Sequence, residues 1–138
     1  RTAPILSKRS GLINQLRLPF ALGLGGPIAG GEQFLPWIHL DDEVALILWA
    51  LDNDHVSGVV NASAPNPVTN REFSKALGRA LHRPAVIPVP KLAVTAMRGS
   101  ELADAVAGGA RVIPRRALDL GFEFRHPEID EALESALR

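Results

Sequence analysis

The residues best placed to do chemistry in this sequence are His39, Asp41 and Asp42, which lie between an apolar strand-like run and an apolar helix-like run. An imidazole beside a carboxylate can act as a general base, because the carboxylate orients the ring and stabilises its protonated form. The same residues also fit a structural interpretation, in which Asp41 caps the helix and His39 ends the strand. The sequence leaves both interpretations open.

Other catalytic and metal-binding patterns are missing from the sequence. Its histidines have no i, i+4 or H-x-H spacing, so a metal site would need residues assembled from distant parts of the chain, and we predict none. No serine lies in the G-x-S-x-G elbow of a serine hydrolase. The chain has no tyrosine, which removes one class of proton donor, and no cysteine. The four histidines are His39, His55, His82 and His126.

A glycine-rich stretch, GLGGPIAGGEQ at 23–33, begins like the dinucleotide-binding turn G-x-G-x-x-G. The place of its third glycine is taken by Ile28, and Pro27 lacks the N–H that would face a phosphate. No clear strand precedes the stretch and no helix opens out of it, as the fingerprint requires. We therefore predict a lid or connecting loop here, and the cofactor-binding residues stay unknown.

The polar cluster must be positioned by the strand and helix on either side of it, QFLPWIHLDDEVALILWAL at 33–51. Four apolar residues recur in the helical part with spacings of three and four, and their neighbours leave almost no polar face. This pattern predicts a core helix covered on most sides. The run is too short to cross a bilayer, which needs about 20 apolar residues. The four residues are Val44, Ile47, Leu48 and Leu51.

Composition limits the class of protein. A chain of 138 residues has the usual size of one domain, and its 15 basic and 15 acidic residues give a formal net charge of zero. We therefore expect no nucleic-acid partner and no membrane-surface partner. The absence of cysteine and of an apolar signal peptide favours a cytoplasmic location. Because the chain opens on Arg1 inside an apolar run, we expect an excerpt of a longer protein.

The order of predicted elements indicates a mixed α/β fold with a small sheet. The clearest local signal is a capping box, Thr69 with Glu72, which predicts a helix start. Strands are predicted at 3–7, 58–62, 85–89 and 122–124. Helices are predicted at 12–20, 41–51, 69–81, 91–97, 100–106, 114–120 and 127–137. Pro19 should stop or bend the first of these helices.

Three segments together resemble the nucleoside-diphosphate-sugar epimerase group of extended and atypical short-chain dehydrogenase/reductases. The first, GGEQFLPWIHLDDEVALILWAL, is similar to that group's glycine-rich loop followed by a His-hydrophobic-Asp-Asp corner and a helix. The second, SGVVNASAPNPVTNREFSKALGRAL, is similar to its next strand, turn and helix. The third, RVIPRRALDLGFEFRHPEIDEALESAL, resembles its C-terminal end. The likeness spans nearly the whole chain in order.

The resemblance implies an α/β fold that is the C-terminal portion of a Rossmann-like NAD(P)-binding fold, with a small partial sheet and a mostly helical substrate-side lobe. It implies that 1–62 holds the last strands and helices of the Rossmann-like fold and 63–138 the C-terminal lobe. In that family the glycine-rich cofactor turn and the Tyr-x-x-x-Lys pair precede the strand at 1–7, so the chain would lack catalytic residues. NAD or NADP would be held by the full-length protein and not by this chain alone.

Residue by residue, the resemblance places five residues on the substrate side of such an enzyme. One departure concerns the substrate: where sugar-nucleotide enzymes of this group carry an arginine for the diphosphate, this chain has Leu35. The implied partners are the missing N-terminal Rossmann half and a small molecule that could be a sugar nucleotide. The alternative is a non-catalytic protein-interaction module derived from the same fold. The five residues are Leu6, Ser7, Trp37, His39 and Asp41.

Overall fold

A computed structural model describes residues 1–90 and 109–138. The predicted helices at 91–97 and 100–106 lie outside this part of the chain. None of the helices in the described ranges is long and apolar enough to span a bilayer. The elements in chain order are β1 (Ile5–Leu6), α1 (Gly11–Ala21), β2 (Phe34–Leu35), β3 (Ile38–His39), α2 (Leu40–Asp52), β4 (Val68–Thr69), α3 (Asn70–Ala80), α4 (Arg115–Asp119) and α5 (Ile129–Leu137).

The strands form two small sheets, as expected for the predicted mixed α/β fold. In one, β1 and β3 run parallel, with Ile5 opposite Ile38 and Leu6 opposite His39. In the other, β2 and β4 run antiparallel. Because parallel strands end on the same side of their sheet, the residues that follow β1 and β3 meet at one edge.

The strand predicted at 58–62 is reduced to a single bridge, in which Ala62 pairs parallel with Thr2. This register places residues 58–60 beside positions ahead of Arg1, and within the described ranges no strand lies alongside them; the Val60 carbonyl accepts one hydrogen bond, from the Arg1 amino group. Val59 is accordingly 64% exposed, not buried as the sequence suggested. An apolar β-branched run was not enough to make a strand here, because a strand also needs a partner.

Two other predicted strands are also wrong. Of 85–89, only Val89 forms a bridge, with Ile28 of the glycine-rich loop. In 122–124 the alternation reflects aromatic packing and not sheet pairing, because the rings of Phe122 and Phe124 meet edge to face with centroids 4.8 Å apart. The strand predicted at 3–7 is confirmed over Ile5–Leu6.

The glycine-rich loop at 23–33 is irregular, as predicted, and hydrogen bonds tie it to the start of α3. The side chain of Asn70 accepts the Ile28 N–H at 2.7 Å, and the Ser74 hydroxyl donates to the Gly26 carbonyl at 3.2 Å. Gly26 is required by a close backbone approach, because a Cβ at this position would lie 1.9 Å from the Ile87 carbonyl oxygen. The loop therefore serves here as a connection fastened to its neighbours.

Pro19 does not stop α1, which continues to Ala21. A proline inside a helix removes one i to i−4 hydrogen bond and crowds the preceding turn. Its position near the end of α1 limits this loss to the last turns of the helix. Ser10 begins the helix, and its hydroxyl accepts the Ile13 N–H at 3.4 Å.

The start of α2 differs from the prediction by two residues. His39, not Asp41, is the N-cap, and its Nδ1 accepts the Asp41 backbone N–H at 3.1 Å. Asp41 lies instead in the first turn, with Asp42 and Glu43. These three acidic residues still complement the positive end of the helix dipole, as the sequence indicated.

The apolar stripe of α2 is exposed, so the prediction of a helix covered on most sides is wrong. Its four residues, Val44, Ile47, Leu48 and Leu51, are between 48% and 74% exposed. The buried residues of α2 are Asp42, Glu43 and Leu46. Periodicity located an apolar stripe correctly but could not say whether anything packs on it.

The main core lies where α3 and α5 pack together against β1 and α1. A smaller apolar cluster lies beneath α2, where Leu46 packs with Phe122 and Ala117. The main core takes residues from both sides of the predicted boundary at 62. Its buried members include Leu6, Ile13, Trp37, Phe73, Leu77 and Leu133.

The capping box at the start of α3 is confirmed, and we expect Thr69→Ala to lower the free energy of unfolding by about 1 kcal/mol. The Thr69 hydroxyl accepts the Glu72 N–H at 3.2 Å, and the Glu72 carboxylate accepts the Thr69 N–H at 2.7 Å. Hydrogen bonds from the backbone and then the side chain of Thr69 lower the pKa of Glu72.

Because this pKa is lowered, the stabilisation by ionised Glu72 is present above its ordinary pKa and is lost as the pH falls through the lowered value. NMR titration of the Glu72 carboxyl should show its pKa moving up in the alanine variant, and urea unfolding should show the loss of stability. Ser57→Ala, at an exposed serine, is the matched control. Equal stability of Thr69→Ala and the parent chain would contradict the prediction.

Candidate functional site

A cavity of about 340 Å³ opens at the edge of the sheet where β1 and β3 end. Ligands of open α/β sheets bind in crevices outside the carboxyl ends of the strands. The last turns of α5 close the cavity from the other side. Its lining residues are Leu6, Ser7, Lys8, Arg9, His39, Leu40, Asp41, Ser135 and Ala136.

Four of the five substrate-side residues predicted from the sequence line this cavity: Leu6, Ser7, His39 and Asp41. Trp37 does not. It is buried in the main core, and its indole N–H finds no acceptor within the described ranges. The parallel pairing of Leu6 with His39 brings the ends of β1 and β3 together, which no local pattern in the sequence indicates.

Lys8 and Arg9 are the two cationic cavity residues that sequence reasoning missed; Leu40, Ser135 and Ala136 were missed as well. Both cations are exposed, and the Lys8 ammonium donates to the Arg138 carbonyl at 3.3 Å. The available signal was their position directly after a predicted strand, at the end where ligands bind. A net charge of zero concealed it, because a neutral total says nothing about local charge. The two cations make this rim suitable for an anionic group.

His39 lies against a second histidine from a distant part of the chain. The rings of His39 and His126 have centroids 4.0 Å apart and are tilted by 41°. One carboxylate oxygen of Asp41 lies 3.8 Å from His39 Nδ1 and 3.6 Å from His126 Nε2. Both rings are buried, whereas the Asp41 side chain is half exposed. The fold thus assembles two imidazoles around one carboxylate.

Asp42 holds this arrangement in place from beneath. Its buried carboxylate accepts the backbone N–H groups of Arg125 at 2.7 Å and of His126 at 2.9 Å. The sequence suggested only that Asp42 complements the helix dipole. Its main contacts lie more than 80 residues away, so no spacing rule could have found them.

The tautomer of His39 decides between the two interpretations of the polar cluster. Since Nδ1 accepts the Asp41 amide proton, the proton of the neutral ring must lie on Nε2. Nε2 is buried and has no hydrogen-bond partner among residues 1–90 and 109–138. The ring is therefore held as a helix cap, and its basic nitrogen is already engaged. This geometry supports the structural interpretation over the general-base interpretation.

Burial lowers the pKa of His39, and the neighbouring His126 lowers it further. In the unfolded chain the His39 ring takes up a proton near the ordinary histidine pKa of about 6.5, whereas in the folded chain it does so only at a lower pH. We therefore expect the free energy of unfolding to fall as the pH drops from 7, until the lowered pKa is reached. His126→Phe keeps the ring burial but removes the second cause, and should raise the His39 pKa. NMR titration of the histidine ring protons measures this; an unchanged His39 pKa in the variant would contradict it.

The sequence is similar to those of several known proteins. Residues 89–136 match the family model described as a domain of unknown function, DUF1731. The chain is 44% identical over 138 residues to the epimerase family protein SDR39U1 of Bos taurus, covering 99% of this chain and 47% of that protein. It is 39% identical over 136 residues to the epimerase family protein ML0860 of Mycobacterium leprae, covering 99% of this chain and 44% of that protein.

Solved structures give the same relationship. The crystal structure of human SDR39U1 isoform 2 with NADPH matches with a TM-score of 0.91 and 42% identity, over 99% of this chain and 46% of that one. A nucleoside-diphosphate sugar epimerase from Corynebacterium glutamicum matches with a TM-score of 0.75 and 28% identity, over 99% of this chain and 25% of that one. The chain spans about half the length of the curated relatives it matches.

The fold, with its cavity at the carboxyl ends of parallel strands, is that of a Rossmann-like protein of the extended short-chain dehydrogenase/reductase class. Within that class, the chain is similar over nearly its whole length to epimerase family proteins, of which it spans about half. This confirms the resemblance seen in the sequence.

Proposed function

We propose that this chain forms the substrate-side wall of an NAD(P)-dependent epimerase- or dehydratase-like oxidoreductase. The observation that carries the proposal is the cavity at the carboxyl ends of β1 and β3, lined by Ser7, His39 and Asp41. This is the edge at which α/β proteins of this kind bind their ligands. The wall would bind and orient the substrate, and the reactive groups would come from the rest of the enzyme.

The rim of the cavity supports an anionic substrate. Lys8 and Arg9 follow β1 directly and can meet a phosphate or carboxylate. Leu35, which stands where related sugar-nucleotide enzymes carry an arginine, is buried in β2 and offers no charge. A sugar nucleotide would therefore have to use the cations at 8 and 9 for its phosphates. Ser7, between strand and cations, can hydrogen-bond a hydroxyl of the substrate.

Catalysis by this chain alone is not part of the proposal. The chain contains no tyrosine, and a Tyr-x-x-x-Lys pair is the acid/base device that the family resemblance implies. The human relative was crystallised with NADPH, and that protein is about twice as long as this chain. We propose that NAD or NADP is held mainly by a nucleotide-binding half that the longer relatives carry in addition.

The exposed stripe of α2 supports the same view. Solvent-exposed apolar residues in a contiguous row mark a surface that another body covers. We propose that the nucleotide-binding half covers this stripe, which is defined by Val44, Ile47, Leu48 and Leu51. The alternative is a stand-alone interaction module that uses the stripe to bind a different protein.

Two measurements distinguish these proposals. Isothermal titration with NADPH should show no saturable binding to this chain, and should show binding when the chain is co-expressed with the nucleotide half of the human relative. Tight NADPH binding by the chain alone would overturn the proposal that the cofactor is held mainly by the nucleotide-binding half. A monodisperse monomer with cooperative melting would favour the interaction module, whereas aggregation relieved by the co-expressed half would favour the enzyme.

A further inference from the structure

We propose that His39, Asp41 and His126 form a binding site for a divalent transition-metal ion of the zinc type. Each residue offers a ligand atom within 4.8 Å of those of the other two. No metal-ligand spacing is visible in the sequence, because the three residues come from the start of α2 and from the turn before α5. The fold brings these distant residues together.

The distances are close to those of a coordination shell. Zinc binds imidazole nitrogen and carboxylate oxygen at about 2.0–2.2 Å, which places neighbouring ligands of a tetrahedral site about 3.3 Å apart. The Asp41 oxygen lies 3.8 Å from His39 Nδ1 and 3.6 Å from His126 Nε2. Both distances exceed the tetrahedral value by about 0.5 Å or less. The two histidine nitrogens lie within 4.8 Å of each other, so the half-exposed Asp41 and the two rings would all move inward when an ion binds.

The protonation states also fit a cation. His39 Nδ1 accepts the Asp41 amide proton, so this nitrogen carries a lone pair and not a proton. An arriving ion would take this lone pair in place of the Asp41 N–H, so that metal binding would replace the hydrogen bond that caps α2.

Two further carboxylates, of Glu131 and Asp42, contact His126 and support the site. With Nε2 of His126 bound to the ion, its Nδ1 would carry the proton, and the Glu131 carboxylate lies 3.8 Å from Nδ1. Histidine ligands of metals commonly donate their other N–H to such a carboxylate. Asp42 fixes the His126 backbone through the hydrogen bond described above.

The donor set defines the class of ion and what it could do. Two imidazoles and one carboxylate favour zinc, nickel or cobalt over magnesium and calcium, which prefer oxygen ligands. Three protein ligands leave one coordination position open in a tetrahedral site. His39 and Asp41 also line the cavity, so a bound ion would lie at its edge and could meet an anionic ligand there.

The test is direct titration of the unmodified chain, prepared without added histidines, with Zn²⁺ and then with Co²⁺ at pH 7. We expect one equivalent to bind, with the visible absorption of tetrahedral cobalt. Substoichiometric Zn²⁺ should shift the NMR signals of His39 and His126. The signals of exposed His55 and His82 should not move. Shifts confined to His55 or His82, or no binding at micromolar concentration, would overturn the proposal.

Variants provide the second test. Removal of a group that only hydrogen-bonds a ligand lowers metal affinity by about 10–100-fold. His126→Phe removes a ligand itself, so we expect it to lower the affinity by about 100-fold or more. Glu131→Gln, which leaves the ligands intact, should cost about 10-fold and serves if His126→Phe fails to fold. His55→Ala is the matched control and should bind zinc like the parent chain. Unchanged affinity in both His126→Phe and Glu131→Gln would overturn the proposal.

Discussion

Replacing Asp42 by alanine is expected to lower the free energy of unfolding by about 3 kcal/mol or more, because one buried and one partly buried backbone donor lose a charged acceptor together. The Asp42 carboxylate accepts the N–H groups of Arg125 and His126 at 2.7 and 2.9 Å. Hydrogen bonds to charged groups contribute about 1.5–3 kcal/mol each, and an unsatisfied buried donor is costly. Urea unfolding followed by circular dichroism measures the loss.

Two matched variants make the Asp42 test specific. Asp42→Asn keeps the shape and one carbonyl acceptor, so we expect it to cost less than alanine, about 2 kcal/mol. Asp54→Ala changes an exposed aspartate after the end of α2 and should lie within about 0.5 kcal/mol of the parent chain. If Asp42→Ala were as stable as Asp54→Ala, the proposed attachment of the 122–126 turn to α2 would be refuted.

The same substitution at two positions of α2 should give opposite outcomes. Leu46→Ala is expected to cost about 2–5 kcal/mol, because Leu46 is 3% exposed and packs in the cluster with Phe122. Leu51→Ala should change the stability by less than about 0.5 kcal/mol, because Leu51 is 74% exposed. Both changes have the same helix-propensity effect, so their difference isolates burial.

Denaturant unfolding of the two leucine variants measures this difference: the midpoint should fall for Leu46→Ala and stay for Leu51→Ala, with the same dependence of the unfolding free energy on denaturant. A large cost at Leu51 in the isolated chain would mean that the stripe of α2 is covered, as the sequence first suggested. If the chain were co-expressed with a nucleotide half that covers the stripe, Leu51→Ala should become destabilising as well. That change between the two preparations would locate the covering surface.

Local chemistry in the sequence predicted the local parts of the fold. The capping box of Thr69 and Glu72 fixed the start of α3 because both partners lie within four residues. The helix at the C-terminus was predicted from the spacing of Ile129, Ala132 and Leu133, and all three are buried in α5. In both cases the pattern and its physical cause lie within one element.

The parts of the structure that depend on distant partners could not be predicted in this way. The strand at 58–62 has the composition of a strand, but the register of Ala62 with Thr2 leaves most of it unpaired. The stripe of α2 has the spacing of a buried face, but in the part of the chain that the structure describes its residues stay exposed. Of the site, His39 and Asp41 were singled out by residue type and spacing, and Leu6 and Ser7 came from family resemblance. The approach of His126 to His39 required the assembled fold.

The two ends of the chain are engaged in the structure, and this matters for how the protein is produced. The α-amino group of Arg1 donates to the Val60 carbonyl at 2.9 Å, and the Arg1 carbonyl accepts the Ala62 N–H at 2.7 Å. Residues fused ahead of Arg1 would run alongside 58–60 and could pair with them as an added strand. The Arg138 carbonyl accepts a hydrogen bond from Lys8, which lines the cavity. A purification tag fused to Arg138 would therefore lie beside the cavity, and its charged residues would alter the electrostatic potential there.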